Sequence, residues 1–239
     1  ADVLARAGLK QGAAHVHFLG ADSPPSPKTP AFLRSIPLEK ALHPDTLLVT
    51  RMNGCSIPSL HGGPVRLMVP GWTGNHWIKW VRWITVAQDE APGFYMQTAY
   101  RMPKTPAPPD AVLKPSDLVP VTAMNVKSLI TWPAEGAKLP AGRHEVRGVA
   151  WTGEGHVKRV EVALGKGDER KWRPAELIDE ARPWSWRRWR CSIEVAAANP
   201  VTISARATDS NSETQPESTP YNKSGYLWNG IDRVSCEVS

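Results

Sequence analysis

The chain has 239 residues and a formal net charge of +6, with 23 Pro, 18 Gly and 11 Trp. That length holds two domains or one large one; its apolar content supports a packed core rather than disorder, and abundant Pro and Gly favour turns and short strands over long helices. The positive balance points to an anionic ligand or partner, or to a basic soluble surface, and is silent on fold; no apolar run reaches the length of a membrane span.

The sequence opens on Ala rather than Met, which marks a processed, trimmed or partial chain, so a missing leader carries no information. ADVLARAGL, with Val3, Leu4 and Leu9, predicts an amphipathic helix ending near Gly8. AAHVHFLGAD alternates around Val16 and Phe18 and predicts a strand that stops at Gly20 and Asp22. SIPLEKALHP reads as a short helix halted by Pro44. TLLVTRMNG predicts a strand closing on the Asn53-Gly54 turn, and PVRLMVPG a strand bounded by Pro64 and Pro70-Gly71. HWIKWVRWITV, alternating bulky and basic residues, suits a strand better than a helix.

A break in style follows. RMPKTPAPPDAVLKPSDLVP is rich in proline and poor in Gly and Ser, which predicts a semi-rigid surface connector over about 105–121. From about 122 the pattern is all-β. NVKSLITWP, HEVRGVAWTG, VKRVEVALG, WSWRRWRCSIEV and VTISARATDS read as strands separated by turn residues. Their spacing predicts an immunoglobulin-like antiparallel sandwich. Trp184, Trp186 and Trp189 alternating with Arg187, Arg188 and Arg190 fit a nucleic-acid surface. They also fit a half-buried strand with an aromatic core face and a solvated arginine face. Alternation is what the second demands, so no nucleic-acid partner is expected.

Cys55, Cys191 and Cys236 show neither CxxC nor zinc-ligand spacing. Buried free thiols are the plainer reading, and a Cys191–Cys236 bridge stays open.

The most distinctive segment is RMNGCSIPSLHGGPVRLMVPGWTGNHWIKWVRWI. Gly62-Gly63-Pro64 lets the backbone turn tightly and approach a ligand, with amides free to donate to an anion. His61 and Arg66 flank it, Gly71 and Gly74 allow a second close approach, and Lys79 adds a point charge. The cluster suits a phosphate-bearing cofactor with a polar heterocycle, or a structural Gly/Pro hairpin. Spacing alone leaves both open.

Those residues also carry a resemblance. MNG, IP, HGGPVR, VPG and IKW resemble the signature of the sulfite oxidase family of molybdenum enzymes, with Ile57 for a Leu and Ile78 for a Val. DVLARAG and VHFLGAD resemble the helix and strand before that signature, and ATDSNSETQP with YNKSGYLWN the family's final strands. The resemblance implies an α+β fold for 1–104, the C-terminal part of a molybdopterin-binding domain. A linker over 105–121 and an all-β, immunoglobulin-like dimerisation domain over 122–239 would follow. It implies that Asp22, His61, Arg66, Trp77, Ile78 and Lys79 bind the pterin cofactor, and that Tyr100 lies beside the metal and substrate. It further implies a homodimer through 122–239, a small sulfur oxyanion substrate and, by analogy with bacterial relatives, a periplasmic location. No CxxCH haem motif occurs, so the electron acceptor would be a separate protein such as a c-type cytochrome.

Two departures stand against the pattern. The family's molybdenum-ligating Cys falls before the first residue of this sequence, and Cys55 sits in a turn where the family has no ligand, so no residue is assigned to the metal. Ser224, in NKSG, stands where animal and plant members carry an Arg in NLRG, which weakens the expectation of sulfite itself. Lys223, the adjacent cation, would point the other way if that segment is a strand. A sulfite-dehydrogenase-type oxidoreductase acting by oxygen-atom transfer is the leading expectation. A non-catalytic truncated chain or split subunit acting through dimerisation is the alternative.

Overall fold

A computed structural model describes residues 1–165, 167, 170–196 and 200–238. The chain forms two compact units, Ala1–Thr122 with Tyr221–Tyr226, and Ala123–Pro220 with Leu227–Ser239. The molecule is mostly β, with few and short helices.

The first unit begins with α1 (Asp2–Ala7), which buries Leu4 and ends at Gly8. In β1 (His15–Gly20) the alternation holds, with Val16, Phe18 and Gly20 buried. β2 (Arg34–Pro37) runs into the single turn of α2 (Leu38–Leu42). β3 (Leu47–Val49) precedes the hairpin β4 (Arg51–Met52) and β5 (Cys55–Ser56). Asn53 and Gly54 between them take φ of 52° and 82°, as a two-residue hairpin turn requires. β6 (Arg66–Met68) pairs with β3, and β7 (Val81–Ala87) joins β1 in a three-stranded sheet ordered β2-β1-β7. The segment expected to be one strand from His76 is different. Gly74–His76 is a 3-10 turn, Trp80 has φ 50°, and the strand starts only at Val81. His76 is fully buried, so its turn is set by tertiary contacts that override the local alternation. After α3 (Phe94–Gln97), β8 (Arg101–Pro103) pairs with β9 (Leu118–Pro120). The proline-rich stretch is therefore a loop tied at both ends, and the unit continues to Thr122.

The second unit contains β10 (Lys127–Trp132), β11 (Lys138–Leu139), β12 (Gly142–Trp151), β13 (Val157–Leu164), β14 (Arg173–Pro174), β15 (Glu176–Leu177), β16 (Arg187–Val195), β17 (Val201–Asp209) and β18 (Asp232–Val238). They form two sheets, ordered β10-β12-β16-β15 and β11-β18-β17-β13-β14. Both contribute to one apolar core that includes Val146, Trp189 and Ile193 from the first and Val160, Ile203 and Val234 from the second. Gln215, also buried, satisfies its whole side chain there. Its Oε1 accepts from Ser128 N–H at 2.6 Å and Ala207 N–H at 2.8 Å, and its Nε2 donates to Asn229 O and Gly230 O, both at 3.1 Å.

The Trp/Arg run divides differently from the expected aromatic face. Only Trp189 is in the core, because β16 begins at Arg187 and leaves Trp184 and Trp186 before it, Trp186 exposed. Arg188 and Arg190 are held by Asp179 at 2.7 Å and Glu176 at 2.8 Å. All three cysteines are free, Cys55 exposed and the others buried; burial pushes the Cys191 and Cys236 thiols up. Gly148 marks the tightest point of this core, since a Cβ there would overlap the Trp189 ring and Leu129 O. Gly148→Ala is expected to cost about 2–3 kcal/mol through overpacking, read as a lower urea midpoint at unchanged m-value. No helix is long and apolar enough to cross a membrane among the described residues.

Candidate functional site

The 61–68 and 77–81 segments meet at the end of β1. Ser59–His61 form one 3-10 turn that ends on Gly62 in a left-handed conformation, φ 100°. A Cβ on Gly62 would lie 2.7 Å from Lys79 Cβ and Cγ, so glycine is what lets the Lys79 stem cross the loop. Backbone bonds hold the segments together. Leu67 N–H donates to Ile78 O at 2.8 Å, Trp80 N–H to Gly62 O at 3.0 Å and Val81 N–H to Val65 O at 2.9 Å. At Gly20 a Cβ would approach Lys79 O at 2.7 Å and collide with Asp22 Oδ1, which places that carboxylate against the same segment.

The result is a cleft of about 380 Å³ lined by Asp22, Arg66, Trp77, Ile78 and Lys79, with Thr29, Phe32, Trp80 and Tyr95 among the other walls. Arg66 Nη1 donates to His61 O at 2.9 Å, and its guanidinium carbon lies 5.8 Å from the Trp77 ring centre. Arg66 Nε is buried and has no partner. Lys79 Nζ donates to Leu60 O at 3.1 Å and sits 4.2 Å from the Trp80 ring centre. Two cations beside indole rings give the cleft a positive lining that suits an anion.

Two expected site residues do not line this cleft. The His61 side chain is exposed, and its backbone oxygen is what orients Arg66. Tyr100 is half-buried with φ 54°. Its ring centre lies 6.1 Å from that of Phe32 and 6.4 Å from that of Tyr95, both of which reach the cleft.

Behind Tyr100 lies a pair for which the sequence offers no signal. Arg34, 1% exposed, stands with its guanidinium carbon 5.5 Å from the Tyr100 ring centre. Its Nη1 donates to Tyr95 O. Nη2 lies 2.9 Å from His76 Nε2 and, with the Asn75 amide in its satisfied orientation, 2.9 Å from the Asn75 oxygen. Glu90, whose charge acts on Arg34, is ion-paired to Arg101 at 3.0 Å. Burial pushes Arg34 down to about 10 and His76 down to about 3, the Arg34 charge adding to the second shift. At neutral pH the pair is therefore a buried cation and a neutral imidazole.

The first unit thus presents a cationic, aromatic-walled cleft on a mostly β scaffold. The sequence profile of the oxidoreductase molybdopterin binding domain matches residues 1–95, and that of the Mo-co oxidoreductase dimerisation domain matches 119–239. Sulfite oxidase of Gallus gallus is 36% identical over 227 residues, 91% of this chain and 48% of that protein. A nitrate reductase of Phaseolus vulgaris is 31% identical, over 99% of this chain and 29% of its own length. The crystal structure of the sulfane dehydrogenase SoxCD from Paracoccus pantotrophus superposes with a TM-score of 0.80 at 28% identity, over 98% of this chain and 57% of that one. The chain belongs to the sulfite oxidase family of molybdopterin-dependent oxidoreductases. It spans about half the length, or less, of the curated relatives it matches.

The residues present fit the organic part of the family's cofactor. Arg66 and Lys79 are placed for its phosphate, and the aromatic walls suit its ring system. None of the three cysteines lines the cleft, and among the described residues no group of three or more His, Cys, Asp or Glu is placed to hold a metal ion.

Proposed function

We propose that this chain carries the pterin-binding and substrate-facing part of an oxidoreductase that oxidises sulfite or a related sulfur compound. The observation that carries the reading is the cleft that Arg66 and Lys79 line together with Trp77 and Trp80. Arg66 and Lys79 hold the cofactor's phosphate, as fork and point charge respectively. Trp77 and Ile78 wall the heterocycle, and the Asp22 carboxylate accepts a hydrogen bond from one of its N–H groups. His61 acts through its backbone oxygen by fixing Arg66. When bound, the cofactor supplies two-electron oxygen-atom-transfer chemistry. The Tyr100 hydroxyl orients the substrate oxyanion by donating to it. In this reading the metal's thiolate comes from the part of the relatives' length that this chain does not span.

Further parts of the proposal rest on family membership. The two sheets of the second unit are an immunoglobulin-like sandwich through which two copies dimerise. The electrons pass to a separate protein such as a c-type cytochrome, and the protein works in the periplasm.

The test is pterin and molybdenum content per chain of the full-length protein from a cofactor-making host, followed by oxidation assays with sulfite and organic sulfur anions using ferricyanide as acceptor. Stoichiometric cofactor with turnover of a sulfur compound is expected. A protein without pterin, or a loaded one inert to every sulfur compound, would overturn the reading.

A further inference from the structure

The turn at residues 221–226 lies far along the chain yet belongs to the first compact unit. Its side chains are dealt out unequally. Lys223 and Ser224 at its tip are exposed, whereas Tyr226 is half-buried with its ring centre 5.7 Å from that of Tyr100, at 31° between planes. Asn222, 9% exposed, fixes this placement from both sides. Its Oδ1 accepts from Tyr226 N–H at 2.8 Å and its Nδ2 donates to Tyr226 O at 2.9 Å, while Gly225 N–H closes the turn on Asn222 O at 3.0 Å. A side-chain amide that binds both backbone groups of one residue leaves that residue little freedom, so Tyr226 is presented rather than packed by default.

We propose that Tyr226 is a substrate-specificity residue, the second phenol of a wall formed with Tyr100, and that this wall selects a sulfur monoanion carried on an organic group over free sulfite. The proposal rests on the oxidoreductase reading above and deepens it. A small dianion is best recognised by exposed guanidinium N–H groups that contact it in pairs. The wall offers none. The Arg34 guanidinium lies behind Tyr100 and is buried, with its Nη groups committed to Tyr95, His76 and Asn75. It therefore supplies one positive charge without a hydrogen bond to the ligand, and a dianion, whose desolvation cost rises with the square of its charge, is left less well compensated than a monoanion. Arg66 and Lys79 belong to the cofactor's phosphate. What remains beside Arg34 is the paired phenols Tyr100 and Tyr226, with Phe32 and Tyr95 adjoining Tyr100. Hydroxyls donate to the oxygens of the sulfur group, and ring faces cover an alkyl or thioalkyl substituent.

The experiment uses the cofactor-loaded full-length protein labelled at tyrosine Cζ with carbon-13, titrated with methanesulfonate and with sulfate as redox-inert probes. Methanesulfonate is expected to move the Tyr100 and Tyr226 signals together and to bind about tenfold more tightly than sulfate. Tyr226→Arg is expected to erase that preference, tightening sulfate by about tenfold, with the Tyr100 signal as the reporter. Sulfate binding as tightly as methanesulfonate to the unaltered protein would overturn the proposal, even if the variant failed to fold. So would a folded Tyr226→Arg protein with an unchanged ratio. Turnover separates this from the broader reading. Oxidation of sulfite with a KM indifferent to Tyr226→Phe would sink the wall and keep the oxidoreductase. Selective methanesulfonate binding without oxidation of any sulfur compound would do the reverse.

Discussion

Acidification from pH 7 to pH 4 is expected to remove roughly 3 kcal/mol of stability from the unit that holds the cleft, through His76 alone. In the folded protein the imidazole is fully buried against the Arg34 guanidinium and stays neutral down to about pH 3, whereas in the unfolded chain it takes up a proton near pH 6.5. Between those values the unfolded state binds more protons than the folded one, so stability falls as the pH falls. The contribution is complete above the unfolded value and is lost as the pH drops toward the folded one. Geometry gives the same direction. Arg34 can only donate and lies 2.9 Å from Nε2, while Val121 O, an acceptor, lies at the same distance, so a neutral imidazole can serve one of the two and a protonated one only Val121. Protonation would place an N–H and a second positive charge against the guanidinium. His76→Gln is the informative variant, because an amide oxygen can accept from Arg34 while its NH2 donates to Val121 O, which lies 2.9 Å from Nε2. Hydrogen-exchange protection of the Leu67 and Trp80 amides, both bonded within this unit, reads the effect locally. Protection should fall with pH in the parent protein and far less in His76→Gln. Parallel pH slopes in the two would show that the buried pair does not govern acid stability.

The features legible in the sequence are those whose cause is local. The period-2 burial of Val16 and Phe18 follows from a strand with one face on the core. Asn53-Gly54 makes its hairpin because both residues tolerate positive φ. The Gly62 approach to Lys79 was implicit in HGGP, since that turn needs a residue without a Cβ. What was illegible has long-range causes. The stretch from His76 reads as a strand because Lys79 and Arg82 interrupt a run of bulky residues. The burial of His76 is dictated by Arg34, 42 residues away in sequence. Tyr100 was singled out through family resemblance, yet no periodicity could show that its ring would meet Tyr226. Ser224 stands out in the sequence only against the family pattern. The turn exposes Ser224 and offers Tyr226 instead.

Arg66→Met is expected to lower the affinity for the pterin cofactor by about 100-fold, equivalent to roughly 2.7 kcal/mol. The magnitude follows from what the guanidinium does. Nη1 is committed to His61 O at 2.9 Å, which fixes the fork, and the side chain lines the cleft, so a charge-assisted donor is offered to an anion there. A charge-assisted bond of that kind contributes about 1.5–3 kcal/mol, and methionine preserves the stem's packing against Trp77 while removing it. Arg66→Lys separates charge from geometry. It keeps the positive charge but loses the planar fork and the anchoring bond to His61, and an intermediate loss of about tenfold is expected. Pterin fluorescence per chain after extensive dialysis, with protein from a cofactor-making host, measures the series. Fold integrity can be read independently from the Leu67 amide's protection, which depends on Ile78 O rather than on the Arg66 side chain. Retention in the order parent, Lys, Met would establish that Arg66 recognises the phosphate by directed bonds as well as by charge. Equal retention in all three would move the phosphate away from Arg66, leaving Lys79 and the loop amides as its receptor.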